Sequence, residues 1–262
     1  MPSFTIYALF SLVFGMVVGS FLNVCICRMP KDESIVSPPS HCPHCSYQIR
    51  WYDNIPVISY LLLRGRCRGC GTRISLQYPL VELLNGILAL LLFLRFGPTL
   101  AFAALFVFCS ALVVITFIDI EHQIIPDEIS LSGIVVGFVL SFFLPGHSWL
   151  NSILGILLGG GSLLFVAYAY QWLTGKEGMG GGDIKLLAMM GAFLGWKSIP
   201  FIILASSLFG SIVGVSMMLF QKKDSKLAIP FGPYLAFGAV LYIFYGRPLI
   251  TWYLNLGGFQ KG

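Results

Sequence analysis

The sequence predicts an all-α, polytopic membrane protein of about eight transmembrane helices, with a small cytoplasmic zinc-binding domain between helices 1 and 2. Three observations carry this reading. Of 262 residues 57% are hydrophobic and only 10% charged, so the polar surface that a soluble globule of this length needs is missing. The apolar residues are gathered into uncharged runs close to the roughly 20 residues that cross a hydrocarbon core of about 30 Å. Four of the seven cysteines form two tight pairs inside the long polar stretch 28–77.

The first run, Phe4–Cys27, has no basic residue before it and Arg28 immediately after it. A cleavable secretory signal carries its basic residues first, so this run reads as an uncleaved anchor. Further runs follow at Tyr78–Leu94, Thr99–Ile118, Ile129–Leu144, Trp149–Leu173, Ile184–Trp196, Ser198–Phe220 and Ile229–Tyr245, the sixth of the eight being short. Glycines inside them do not argue against membrane helices, where Gly and Pro are frequent.

With the N-terminus outside and eight spans alternating, one face receives Arg28, Lys31, Arg50, Arg64, Arg66, Arg68, Arg73, Lys176, Lys185, Lys222, Lys223 and Lys226. The other receives only Arg95, Lys197, Arg247 and Lys261. This asymmetry is the one expected when basic loops stay in the cytoplasm, and it makes the stretch from Arg28 to Gln77 cytoplasmic. Juxtamembrane Lys and Arg account for the net charge of +5, so no nucleic-acid partner is implied, and the partner that composition does imply is the lipid bilayer.

In the cytoplasmic stretch, Cys42-Pro-His-Cys45 and Cys67-Arg-Gly-Cys70 each offer two thiolates, and the segment between is long enough to bring the pairs together. The spacing is that of a zinc ribbon. Two disulfides are the alternative, which a reducing compartment disfavours. Four thiolates leave no open coordination position for water, so the zinc is expected to be structural. His41 and His44 read as solvated neighbours, and Cys25, Cys27 and Cys109, in or at the ends of spans, as small apolar residues.

Two carboxylates stand at the ends of apolar runs. Asp119 closes the third run within Phe117-Ile118-Asp119-Ile120, and Asp183 follows Gly180-Gly181-Gly182 and opens the short sixth run. Taken singly, Asp183 reads as a helix N-cap and Asp119 as an interfacial residue reaching water. Taken together they lie at one membrane level, with a glycine turn that lets backbone approach closely, and a charge at that depth marks function. Such a pair shares one proton: the ionised partner activates water and the protonated one donates to a scissile carbonyl, in either assignment of the two. Asp127 reads as the cap of the fourth helix with Glu128 in its first turn, and Glu121 and His122 as solvated.

The segment Phe117–Asp127, with its Ile-Asp-x-Glu-His-x-Ile-Ile-Pro-Asp core, and Gly-Gly-Gly-Asp at 180–183 resemble the paired motifs of the type IV prepilin peptidases, a branch of the GxGD aspartyl proteases. Gly19-Ser20-Phe21-Leu22-Asn23-Val24 with Arg28 and Pro30, Trp51–Pro56, the two cysteine pairs and Tyr78–Glu82 are similar to other signatures of that family, so the resemblance spans essentially the whole chain. It implies Asp119 and Asp183 as catalytic residues that cleave the basic leader from prepilins and pseudopilins at the cytoplasmic face of the bacterial inner membrane. It further implies N-methylation of the new N-terminal residue with S-adenosylmethionine. No Gly-rich strand–turn–helix fingerprint marks a site for that cofactor, and no methyl-transfer residue is singled out. The implied organisation is helix 1 over 1–27, a zinc-binding and methyltransferase domain over 28–77, and a multi-helix peptidase domain over 78–262. A transporter or channel with a zinc-stabilised loop is the alternative from another class, since intramembrane carboxylates and Gly-broken helices also mark ion pathways. A structural component of a secretion assembly is a third.

Overall fold

Each apolar run is helical over most of its described length in the computed structural model, which describes residues 2–175, 180–221 and 230–256. The helices are α1 (Pro2–Arg28), α2 (Ile58–Leu62), α3 (Gln77–Phe96), α4 (Leu100–His122), α5 (Asp127–Leu140), α6 (Trp149–Thr174), α7 (Gly181–Leu194), α8 (Ser198–Gln221) and α9 (Gly232–Leu256). Among the described residues there is no strand, only two isolated bridges, His41 with Gln48 and Arg66 with Arg73. Of the basic residues that set the expected orientation, Lys176, Lys222, Lys223, Lys226 and Lys261 lie outside the described residues.

Five segments are long and apolar enough to cross a bilayer: Phe4–Lys31, Gln77–Phe96, Leu100–His122, Trp149–Thr174 and Ser198–Leu219. Their outward faces keep large apolar side chains exposed, such as Phe165 at 74% and Leu204 at 68%, which suits contact with lipid. The other three expected spans are helical but differ from expectation. The fourth run ends as helix at Leu140, followed by a turn, and the eighth continues past Tyr245 to Leu256 through Pro248. At 14 residues, α5 and α7 reach about 21 Å, short of the hydrocarbon thickness.

The chain divides inside α4 into two compact units, Met1–Ile118 and Asp119–Gly262. In the first, α1 and α3 cross at backbone contact. A Cβ on Gly15 would come within 2.8 Å of the Asn85 carbonyl, and one on Gly19 within 2.7 Å of Glu82 Cα, so Gly15-x-x-x-Gly19 is a small-residue crossing of the kind that joins membrane helices. Polar side chains lock it: Asn85 Nδ2 donates to the Gly15 carbonyl at 2.8 Å, Ser110 Oγ of α4 donates to Asn85 Oδ1 at 2.9 Å, and Asn23 Nδ2 donates to the Tyr78 carbonyl at 3.0 Å.

The second unit is built around α7. All eight residues from Leu186 to Phe193 are buried, so this helix is apolar on every side because protein surrounds it. A Cβ on Gly155 of α6 would overlap the Gly191 carbonyl, and one on Gly159 would come within 2.5 Å of the Leu187 carbonyl. Ser152 Oγ donates to the Ala192 carbonyl at 2.9 Å. Gly137 of α5 packs on Ala192 and Phe193 from another side. These contacts fix α7, and with it Asp183, against its neighbours.

Candidate active site and metal centre

Each cysteine pair in the first unit sits on the same small backbone turn. Cys42 N–H donates to the Tyr47 carbonyl at 2.9 Å and Ser46 N–H to the Cys42 carbonyl at 2.9 Å; Cys67 N–H donates to the Thr72 carbonyl at 2.8 Å and Gly71 N–H to the Cys67 carbonyl at 2.9 Å. The residue that closes each turn is left-handed, Ser46 at φ 56° and Gly71 at φ 72°. The two turns bring all four sulfurs within 4.8 Å of one another, with Cys42 to Cys70 and Cys45 to Cys67 each 3.9 Å apart. All four thiols are free, so the disulfide alternative is not the arrangement adopted. Ligands about 2.3 Å from a tetrahedral ion stand about 3.8 Å apart, so the donor set fits a metal ion such as zinc.

Ionisation of the cluster is uneven. The Thr72 hydroxyl, 3.2 Å from Cys70 Sγ, is the largest influence bringing that thiol down to about 6. The Cys45 backbone N–H leads in lowering Cys42. Cys45, although the Tyr47 backbone N–H favours its thiolate, is pushed up to about 12 by desolvation and its neighbouring sulfurs. The thiols of Cys42, Cys45 and Cys70 thus do not ionise alike, and a divalent cation would favour the thiolate at each by offsetting its charge. The second turn is anchored to the preceding segment by Arg68, whose Nη2 lies 2.6 Å from Asp53 Oδ1.

In the second unit, Asp119 is 5% exposed at the end of α4. Its Oδ2 accepts the Gly232 backbone N–H at 2.9 Å, one of the unpaired donors of the first turn of α9. Asp183 lies in the first turn of α7, whose N-cap is Gly180. It is therefore past the cap position. Among the described residues nothing hydrogen-bonds its carboxylate. Both aspartates thus stand at positive helix ends, Asp119 against α9 and Asp183 within α7. Asp119 is also near enough for its charge to act on Asp183. Ile125 lies between their supports: a Cβ on Gly182 would come within 2.9 Å of it, and one on Gly232 within 3.5 Å. Of the three glycines before Asp183, Gly182 is in such close contact, whereas among the described residues a Cβ on Gly180 or Gly181 would meet nothing within 4 Å.

Asp127 does not cap α5. Pro126 holds that position with no side-chain cap, and Asp127 instead pairs with Lys185, Nζ lying 2.7 Å from both carboxylate oxygens. A lysine offered 58 residues away across the unit competes successfully with a local cap, and the pair ties the first turn of α5 to the second turn of α7. Glu121 and His122 are exposed, in line with their reading as solvated residues. Reading side chains missed Gly232, whose contribution is a backbone N–H; the Gly-Pro step opening the last apolar run was its one trace in the sequence.

Residues 13–96 match the bacterial peptidase A24 N-terminal domain, and residues 106–215 match the type IV leader peptidase family. A prepilin leader peptidase/N-methyltransferase of Aeromonas hydrophila is 38% identical over 272 residues, covering 94% of this chain and 94% of the relative. Proteins of the same name from Stutzerimonas stutzeri and Pseudomonas aeruginosa are 38% and 36% identical, covering 95% and 97% of this chain and 94% and 96% of their own lengths. No solved structure matches the chain.

Proposed function

The chain belongs to the type IV leader peptidase family, and from that premise we propose a membrane aspartyl endopeptidase that removes the basic leader from type IV prepilins and related pseudopilins and N-methylates the residue so exposed. Asp119 and Asp183 are the catalytic pair. The observation that carries this assignment is the Asp119 carboxylate, buried at the close of an apolar helix, held by the Gly232 N–H and within electrostatic reach of Asp183. Two carboxylates so placed share one proton at low cost, the ionised one drawing a proton from water while the protonated one donates to the scissile carbonyl. Their position at helix starts beside lipid-length helices suits a substrate that is itself an apolar helix with a basic leader, diffusing in the bilayer.

The enzyme sits in the bacterial inner membrane with its N-terminus outside and its active site at the cytoplasmic face, a topology supported by the basic residues of 28–77. Helices α5, α7 and α9 complete eight spans; of the two short ones α7 crosses within protein, whereas α5 keeps Leu131, Val135, Val136 and Val139 exposed. Residues 28–77 form the cytoplasmic domain, in which Cys42, Cys45, Cys67 and Cys70 hold a structural zinc, and 78–262 the peptidase domain. S-adenosylmethionine is the methyl donor that the family implies. The described residues hold no strand–turn–helix on which a nucleotide fingerprint would sit, and no residue is assigned to it. The transporter alternative gains nothing from relatives named as peptidases.

Cleavage of a purified prepilin in detergent tests the assignment. Asp119→Ala and Asp183→Ala should each lower the rate by roughly 100-fold or more, as loss of a general acid or base does, with helical content unchanged. Cleavage by either variant at near wild-type rate would remove the pair from the mechanism.

A further inference from the structure

One face of α1 lines a groove of about 520 Å³ in the first unit, closed opposite by the segments Ile35–Ser40 and Asn54–Pro56. The groove changes character along the helix. Val13 and Val17, deeper in the span, are half-exposed at 52% and 53%, an apolar wall open toward lipid. At Ser20 and Asn54 it turns polar, the Ser20 hydroxyl donating to Asn54 Oδ1 at 3.4 Å. Arg28, about 12 Å further along α1, spends its donors on the Ser34 and Pro38 carbonyls and shapes the far rim.

Behind Ser20 lies a carboxylate with no role in peptide cleavage. Glu82 is 7% exposed, and its Oε2 accepts the Val57 N–H at 2.7 Å. Among the described residues no lysine or arginine pairs with it. A buried carboxylate held only by neutral donors is costly. Val57, which supplies the N–H, is a β-branched residue at φ 60° and ψ −47°, a backbone strain kept only where something over-determines it. An uncompensated buried charge and a strained clamp upon it, both beside the polar end of an apolar groove, are accounted for together by a cation that arrives from outside.

We propose that this groove is the acceptor subsite for methylation: the cleaved helix lays its first residues along Val13 and Val17 and brings its α-ammonium to Ser20 and Asn54, where Glu82 acts from behind as the positioning charge; the bound ammonium then gives one proton to solvent water, and the lone pair so exposed accepts the methyl group. This rests on the N-methyltransferase reading above. The apolar wall at lipid depth, the polar stop and the buried negative charge match an apolar helix with a free amino end, whereas a phospholipid would bring an anionic phosphate to the carboxylate.

The test uses wild-type and Glu82→Gln enzyme in phosphatidylcholine nanodiscs, with fluorescent synthetic peptides of a mature pilin N-terminal helix whose amino group is free or acetylated. Glutamine keeps an oxygen for the Val57 N–H, so the variant should fold. Wild type should bind the free amine about tenfold more tightly than the acetylated peptide, as a charge-assisted contact provides. Glu82→Gln should bind both alike and lose about tenfold in methyl incorporation while cleaving full-length prepilin as before. A preference that survives Glu82→Gln, no preference in wild type, or equal displacement of both peptides by phosphatidylglycerol would overturn the proposal. Should Glu82→Gln also lose cleavage, Val17→Trp decides: filling the groove must weaken both peptides and spare cleavage, and unchanged binding rules the groove out. A wild-type enzyme that transfers no methyl group would sink the methyltransferase reading alone, since the amine preference still reports on the groove.

Discussion

Gly232→Ala tests whether the backbone of α9 holds the catalytic carboxylate. A Cβ at this position would stand 2.6 Å from Asp119 Oδ2 and 3.3 Å from its Cγ, distances at which one group must move. The Asp119 side chain is buried and has little room to yield, so the 2.9 Å hydrogen bond from Gly232 N–H lengthens or breaks. A hydrogen bond to a charged group is worth about 1.5–3 kcal/mol. If that stabilisation is realised in the transition state, its loss slows cleavage by roughly 10- to 150-fold. Crowding this buried site should also cost about 1–3 kcal/mol of stability, as overpacking does, which is too little to unfold the enzyme at the assay temperature. The assay is single-turnover cleavage of prepilin by purified enzyme in nanodiscs, followed by intact-mass spectrometry, with thermal unfolding measured alongside. Gly210→Ala is the control, since its added Cβ would meet only the Tyr234 ring at ordinary contact distance, 3.5 Å. Wild-type cleavage by Gly232→Ala, or a rate loss matched by global unfolding, would refute the proposed role of that N–H.

Lys185→Ala breaks the pair with Asp127, but the two side chains are 38% and 52% exposed, so less than about 1 kcal/mol and under about fivefold in rate are expected, read from the same two assays. Native mass spectrometry should find one zinc per chain, absent from Cys42→Ser and Cys67→Ser. Chelation should lower the melting temperature first and cleavage only as the fold loosens; instant loss of cleavage from a chain that stays folded would make the metal catalytic. Gly155→Val drives two branches into the Gly191 carbonyl and should cost at least about 3 kcal/mol in thermal unfolding, whereas Gly161→Ala, with open space at its Cβ, should be neutral.

The sequence makes legible what local chemistry writes into it. Apolar runs announce helices, Cys-x-x-Cys spacing announces a tetrahedral sulfur site, and an aspartate closing an apolar run announces its own expense. The arrangement of α7 was not legible, because a helix buried in protein and one buried in lipid have the same composition; only the enclosure of Leu186–Phe193 tells them apart. Asp127 misled for a related reason: capping grammar is local, while its partner Lys185 is brought in by the tertiary fold. Gly232 is the instructive case. Its contribution is a main-chain N–H, which every residue but proline possesses, so no residue type signals it. Yet a buried carboxylate requires a donor, and the unpaired N–H groups of a protein are concentrated in the first turns of its helices. Once Asp119 is read as buried, the search for its partner narrows to a handful of helix starts. The Phe231-Gly232-Pro233 step was among them, a helix start in which a glycine leaves room for a carboxylate to approach the backbone.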